Sequence, residues 1–309
     1  MVGIIFLIFV IFSSVRNDVT EYFVNLQGKS RNKMQQIRHI RKFITALCAV
    51  TTACIFFSSD AACAKAPDKR QHQTVVVLDP GHGGKDTGCV GRLTNEKTIV
   101  LDVAKSVGKM LDDEMGDSIR TVYTRDTDRF LTLQQRADVA NDAKGDIFVS
   151  IHVNSVDYRT RGREAVHGAS VYTVGLHKSD DNLRVAMREN SVIEIEEDST
   201  AAYRDFDPSS SESYIIFEMS RNRHQRKSIE LAALIQDRLT SDAGRADKGV
   251  RQAGFWVLWS TGMPSVLVEL DFICNPGAEK FLNSKEGREK CARAIADAIK
   301  TYIRNQQTA

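Results

Sequence analysis

Short apolar runs alternate with longer segments of helical periodicity from Thr74 onward, and this alternation limits the folds that the chain can adopt. Runs rich in Val, Ile and Leu predict buried strands over residues 74–79, 119–124, 146–153, 169–174 and 264–272. Apolar residues spaced three and four apart predict helices over residues 95–115, 131–143, 228–240 and 284–303. This order favours an α/β fold: a single domain with a twisted, mostly parallel sheet and helices on both faces.

Composition excludes two broad classes of protein. Hydrophobic residues make up 42% of the chain, which is enough for a packed core and too much for a wholly disordered chain. Lys and Arg number 42 against 40 Asp and Glu, so the net charge is only +2. A chain this close to neutrality gives no electrostatic reason to expect nucleic acid as a partner.

Residues 34–64 carry the pattern of a secretory signal peptide. A basic region is followed by an apolar run and then by Ala-Cys-Ala, and we predict cleavage after Ala64. An uncleaved anchor is the alternative. We interpret residues 1–33 as an over-extended start or a leader. The mature part, residues 65–309, is then exported to the periplasm or cell envelope, and it retains three cysteines, enough for one disulfide at most.

Two histidines and two glutamates lie where predicted strands end or helices begin. His82 follows the strand at 74–79, Glu96 opens the next helix, and His152 ends a later buried strand. Parallel strands end at one edge of a sheet, so these three side chains can meet there. Two imidazoles and a carboxylate are typical ligands of a catalytic zinc ion whose fourth position is open to water. Glu269 lies in an apolar strand, where a carboxylate needs a partner, and water at the metal would supply one.

Five segments that contain these residues resemble the zinc-dependent N-acetylmuramoyl-L-alanine amidases of bacterial cell-wall turnover, the type 3 amidase domain. They extend from about Val75 to Tyr302 in the order found in that family. The segments are VVVLDPGHGGKDTG, NEK at 95–97, YTRDTDRFLTLQQRADVAN, IFVSIHVNS and MPSVLVELDFICNP.

The resemblance implies a function and a role for each of these residues. One zinc ion per chain would be held by His82, Glu96 and His152, and Glu269 would be the catalytic acid and base. The expected reaction is hydrolysis of the amide bond between N-acetylmuramic acid and L-alanine in peptidoglycan, for cell-wall turnover or daughter-cell separation.

The segment around Glu269 departs from the family pattern at two positions. Asp271 stands where the family usually has Gly, and Cys274 stands where it has Ser. Both positions follow Glu269 closely in the sequence, so they bear on the local geometry around that residue.

A connection of about fifty residues, 178–227, interrupts the alternation of strands and helices. In larger members of the resembled family an inserted helix covers the zinc cleft until an envelope activator protein displaces it. This connection follows the strand at 169–174, so in a parallel sheet it should emerge at the edge that carries the zinc ligands. We therefore expect that a carboxylate fills the fourth zinc position, with the candidates Glu194, Glu196 and Glu197. The alternative is that the loop is solvated or only shapes the substrate groove.

Two other functions remain open on these residues. A zinc peptidase that cuts within the stem peptide would use the same ligands and the same chemistry. A non-catalytic wall-binding module would keep the fold, but it should have lost at least one of the four candidate site residues.

Overall fold

Six strands form one sheet in the order β2-β1-β3-β6-β4-β5. The computed structural model describes residues 73–177, 179–196, 203, 206–215 and 223–308. The strands are β1 (Thr74–Pro80), β2 (Ile119–Tyr123), β3 (Ile147–Asn154), β4 (Ala169–Val174), β5 (Asp247–Ala253) and β6 (Ser265–Phe272).

The sheet is mostly parallel, as predicted, but one direction differs. Strands β1, β2, β3 and β6 run the same way, so they all end at one edge, which we call the carboxyl edge. Strand β4 is antiparallel to β6, and β5 is parallel to β4. The expectation that the long connection leaves β4 at the carboxyl edge is therefore wrong, because Val174 lies at the opposite edge. The direction of one strand beside another depends on tertiary pairing, which periodicity does not report.

Among the described residues, seven helices cover the two faces of the sheet. They are α1 (Glu96–Met115), α2 (Leu133–Asp142), α3 (Asp180–Asn190), α4 (Gln225–Ser241), α5 (Trp256–Trp259), α6 (Pro276–Asn283) and α7 (Lys285–Thr308). Helices α1, α4, α6 and α7 bury apolar residues against the first face, and α2, α3 and α5 against the second face. All four predicted helices and all five predicted strands are confirmed, and Arg70–Ala309 forms one compact unit.

Two helix starts next to the candidate site are fixed by capping side chains. The side chain of Asn95 accepts a hydrogen bond from the backbone N–H of Thr98, so α1 begins at Glu96. Thr132 and Gln135 form a reciprocal capping box at the start of α2. Each such cap contributes about 1 kcal/mol to helix stability. The cap at Asn95 also fixes the position from which the side chain of Glu96 projects.

The predicted leader (residues 1–33) and signal peptide (34–64) lie outside the described residues. Within the described ranges no helix has the length and apolar character needed to cross a membrane. Cys89, Cys274 and Cys291 are all free thiols, which agrees with the expectation of one disulfide at most.

Candidate metal centre

The structure brings His82, Glu96 and His152 together at the carboxyl edge, and it adds Glu189 from the end of α3. One ligand atom from each of the four residues lies within 4.8 Å of all the others. His82 Nε2 is 3.1 Å from Glu96 Oε1 and 3.2 Å from Glu189 Oε2. His152 Nδ1 is 3.0 Å from Glu96 Oε1 and 2.9 Å from Glu189 Oε2. The four atoms therefore point at one small volume.

The turn that carries His82 has an unusual backbone conformation. His82 itself has φ 58°, in the left-handed region that non-glycine residues rarely adopt. At Gly81 a side chain would overlap the imidazole of His152, so glycine is required for the close approach of the turn to β3. The DPGHGG sequence thus places His82 against His152.

Two buried arginines hold this turn by its carbonyl oxygens. Arg125 donates to the carbonyls of Pro80 and Gly81, and Arg136 donates to those of Pro80 and His82. Arg136 also forms a buried ion pair with Asp79, at 2.8 Å between Nη1 and Oδ1. Burial alone would raise the pKa of Asp79, but the charge of Arg136 together with hydrogen bonds from Thr124, Ser150 and Arg136 holds that pKa below the ordinary value. Buried charged groups therefore hold the strained turn in place.

Two of the candidate ligands, His82 and Glu96, are also oriented by partners outside the cluster. Asp86 Oδ2 lies 2.7 Å from His82 Nδ1, which leaves Nε2 of that ring to face the cluster. Glu96 Oε1 accepts from the backbone N–H of Val153, and Oε2 accepts from that of Cys89, both at 2.8 Å. Such outer contacts set the ring tautomer and carboxylate orientation in metal sites.

The geometry of the cluster suits a small cation. Ligand atoms about 2.1 Å from a shared ion at tetrahedral angles lie roughly 3.4 Å apart, close to the observed separations of 2.9–3.2 Å. His82 Nε2 and Glu189 Oε2 are buried without a hydrogen-bond partner among the described residues. Polar atoms in that state carry a large desolvation cost. A cation at their centre would satisfy both.

When no metal ion is bound, protons on the histidines balance the negative charge of the glutamates in the cluster. Burial lowers the pKa of His152, but the carboxylates of Glu189 and Glu96 together raise that pKa to about 9. Burial likewise opposes ionisation of Glu96, yet the His82 charge holds the pKa of Glu96 far below its ordinary value. A divalent cation would replace these protons, as happens when metal sites load.

Glu269 lies beside the cluster on β6, directly opposite His152 on β3 and Ser170 on β4. Its side chain is fully buried, and Oε2 has no hydrogen-bond partner among the residues described. Oε1 lies 3.3 Å from Nη2 of Arg188. Burial and then the charge of Glu189 raise the pKa of Glu269 to about 8. This side chain can therefore both accept and donate a proton near neutral pH.

Two residues at the end of α3 were not singled out as site residues in the sequence. Glu189 fills the side of the cluster that His82, Glu96 and His152 leave open, and Arg188 contacts both Glu189 and Glu269. The cavity next to the cluster measures only about 10 Å³, roughly one water molecule. Helix α3 therefore closes the site to any larger molecule in this conformation.

The carboxylates that we expected at the fourth zinc position lie elsewhere. Glu194 is exposed to solvent. Glu196 is buried, but its Oε1 accepts from the backbone N–H of Leu133 at the start of α2. Glu197 lies outside the described residues. In the sequence Glu189 is one of several glutamates in the connection 178–227, and no local pattern distinguishes it from the others.

The two positions that depart from the family pattern have structural partners. Asp271 accepts from the backbone N–H of Gly168 at 2.7 Å and forms an ion pair with Arg245 at 2.8 Å. Cys274 Sγ lies 3.4 Å from the carbonyl of Arg163. Both residues tie the end of β6 to the segment before β4, and neither displaces Glu269 from its position opposite His152.

The chain is also similar to proteins of known family. Residues 76–301 match the family model described as N-acetylmuramoyl-L-alanine amidase. The amidase AmiA of Escherichia coli is 33% identical over 232 residues, which cover 74% of this chain and 76% of AmiA. The catalytic domain of CwlV from Paenibacillus polymyxa has a TM-score of 0.55 and 28% identity, and it aligns over 75% of this chain and 99% of its own. The amidase AmiC2 of Nostoc punctiforme has a TM-score of 0.53 and 29% identity, over 75% and 97% of the two chains.

Proposed function

This chain belongs to the N-acetylmuramoyl-L-alanine amidases, hydrolases that act on peptidoglycan, and we propose that it uses one zinc ion to cut the bond between N-acetylmuramic acid and L-alanine. The observation that carries the proposal is the convergence of His82, Glu96 and His152, with Glu269 on the neighbouring strand. Two imidazoles, a carboxylate and a separate proton carrier are the parts that metal-assisted amide hydrolysis needs.

The residues of the chain have distinct tasks in this reaction. His82, Glu96 and His152 would hold the zinc ion, which would supply the Lewis acidity that polarises an amide carbonyl and lowers the pKa of water. Glu269 accepts the proton of the attacking water and then donates a proton to the departing amine of L-alanine. Asp86 keeps Nδ1 of His82 engaged, so that Nε2 stays directed at the cluster.

We further propose that α3 keeps the enzyme inactive until it is moved. The carboxylate of Glu189 lies in the position that the substrate carbonyl or water would have to take. Arg188 contacts one carboxylate oxygen of Glu269. Asn190 anchors the end of α3 by bonding to the carbonyl of Gly254 and the N–H of Trp256. An envelope activator protein that moves α3 away would remove Glu189 from the cluster and Arg188 from Glu269 at the same time. The opposite idea, that this segment only shapes the groove, predicts lower activity when the contact is removed.

The biological setting is part of the same proposal. Export through the signal peptide at 34–64 would deliver the enzyme to the periplasm or cell envelope, where peptidoglycan is cut during wall turnover or daughter-cell separation. Amino-terminal sequencing of the protein recovered from the envelope tests this, and a chain that begins at Lys65 is the expected result. A retained leader would favour the uncleaved anchor.

The ligand assignment is tested by measuring zinc content and hydrolysis together. The purified chain should hold about one zinc ion, and His152→Ala should lose zinc and activity in parallel. Glu269→Ala should keep its zinc and its fold while turnover drops by about 10²–10⁴-fold, the usual contribution of general acid–base catalysis. Stoichiometric zinc in His152→Ala would overturn the ligand set, and near-normal turnover in Glu269→Ala would move the proton transfer to another group.

A further inference from the structure

A large groove opens beside the metal cluster, between α3 and the strands β4 and β5. Its volume is about 950 Å³, and Cys89, Asn154 and Arg188 line the end that adjoins the cluster. Cys89 donates its backbone N–H to Glu96, and Arg188 contacts Glu269, so this end is continuous with the site. Unlike the cavity at the cluster, the groove is wide enough for a peptide while α3 is in place.

Three cations on the groove wall have no acidic partner. Arg159, Lys248 and Arg251 line the groove, and within the described part of the chain none of them has a carboxylate oxygen within 4.0 Å. Arg251 bonds instead to the carbonyl of Lys248 and to Asn182 Oδ1. Arg159 lies over the ring of Tyr158.

The acidic residues of the groove do not balance this charge. Asp181 is paired with Arg184 on its own helix, at 3.2 Å. Asp157 accepts the backbone N–H of Arg159 and is the remaining carboxylate on the wall. The wall therefore keeps a net positive charge next to a site whose own carboxylates are buried.

Two of the cations lie on β5, which is separated from the strand of Glu269 only by β4. Ser170 lies opposite Glu269, and Tyr172, two residues further along β4, lies opposite Arg251 on β5. Lys248 stands at the carboxyl edge, with its ammonium group 5.8 Å from the ring centre of Phe272. A peptide whose scissile bond lies at Glu269 and that enters the groove therefore lies near these positive charges.

We propose that this wall binds the free carboxylates of the peptide that is released, and that it makes acidic stem peptides better substrates than amidated ones. The inference rests on the proposed function, because that reaction places a peptide beside Glu269. The ligand class is a short peptide with several free carboxylates, which are the carboxylates that take no part in its peptide bonds. Exposed ion pairs of this kind add affinity mainly at low ionic strength.

Binding is measured separately from hydrolysis so that the two proposals can fail independently. The probes are an N-acetylated stem tetrapeptide with free carboxylates and the same peptide with every carboxylate amidated, titrated calorimetrically into the full chain at low salt. The acidic peptide should bind and the amidated one should bind at least about tenfold more weakly. Equal affinity for the two peptides, or no binding of either, would overturn the inference even if the chain proves to be an amidase.

Matched variants test which residues are responsible. Arg159→Gln with Lys248→Gln should weaken binding of the acidic peptide about three- to tenfold and raise KM for acidic muropeptides without changing kcat. The control removes the same charge from α4, with Arg226→Gln and Lys227→Gln, and should change nothing. Lys248→Arg should retain the preference. A preference for the acidic peptide that survives in the double variant would refute the assignment of these residues.

Discussion

Replacing Glu189 with Ala should raise the basal rate of peptidoglycan hydrolysis. The side chain of Glu189 is only 4% exposed, and its Oε2 lies 2.9 Å from His152 Nδ1 and 3.2 Å from His82 Nε2. While Glu189 stays there, neither the substrate carbonyl nor the attacking water can reach the cluster. Truncation removes the contact that ties the end of α3 to the cluster, so the open conformation becomes more populated.

The size of the effect follows from the contact that is lost. The contact that is lost joins the Glu189 carboxylate to the cationic groups of the cluster; a contact between charged groups of this kind contributes roughly 1.5–3 kcal/mol, and about 1.4 kcal/mol corresponds to a factor of ten in an equilibrium. The open fraction should therefore grow about ten- to hundredfold, up to the ceiling of a fully open enzyme. Asn190 keeps its bonds to Gly254 and Trp256, so α3 should remain folded and loosely docked.

Release of dye from labelled peptidoglycan measures this rate, with zinc content and melting temperature recorded for the same samples. Glu194→Ala is the matched control, because it removes an exposed carboxylate five residues further on and should leave the rate unchanged. The reasoning fails if Glu189→Ala keeps its zinc and its fold and yet hydrolyses peptidoglycan no faster, or more slowly, than the unchanged chain.

Three further perturbations test the framework of the site. Gly81→Ala should reduce zinc affinity at least about tenfold in a metal titration, because its methyl group would displace the imidazole of His152. Asp79→Asn should cost about 3–5 kcal/mol in urea unfolding, since it leaves Arg136 buried without its partner. The pKa of Asp79 is lowered in the folded state, so this difference should be full above about pH 4 and shrink as the pH falls through the folded pKa. A chelator should lower the melting temperature and zinc should restore it.

Much of the fold could be predicted because it depends on local periodicity. The strand that ends before His82, the helix that opens at Glu96 and the strand that ends at His152 all have continuous or evenly spaced apolar residues. Once these elements are recognised, parallel pairing brings their ends to one edge without further information. The three candidate ligands could therefore be named from the sequence.

The parts that could not be predicted depend on contacts between distant segments. Strand β5 (Asp247–Ala253) is a polar edge strand with no apolar alternation, so periodicity gives no sign of it. The reversed direction of β4 follows from its pairing with β6. Glu189 was one of several glutamates in a long connection, and only the packing of α3 on the second face selects it over Glu194 and Glu196.

The bond that is cut tests the account most directly. Purified peptidoglycan is incubated with the zinc-loaded chain, with and without a chelator, and the products are identified by mass spectrometry. The account predicts intact stem peptides that begin with a free L-alanine amine and glycan strands that carry a free lactyl carboxylate, both lost with the chelator. New amines within the stem peptide would make the chain a peptidase, and no products from a zinc-loaded Glu189→Ala variant would leave only a wall-binding module; either result contradicts the proposed reaction.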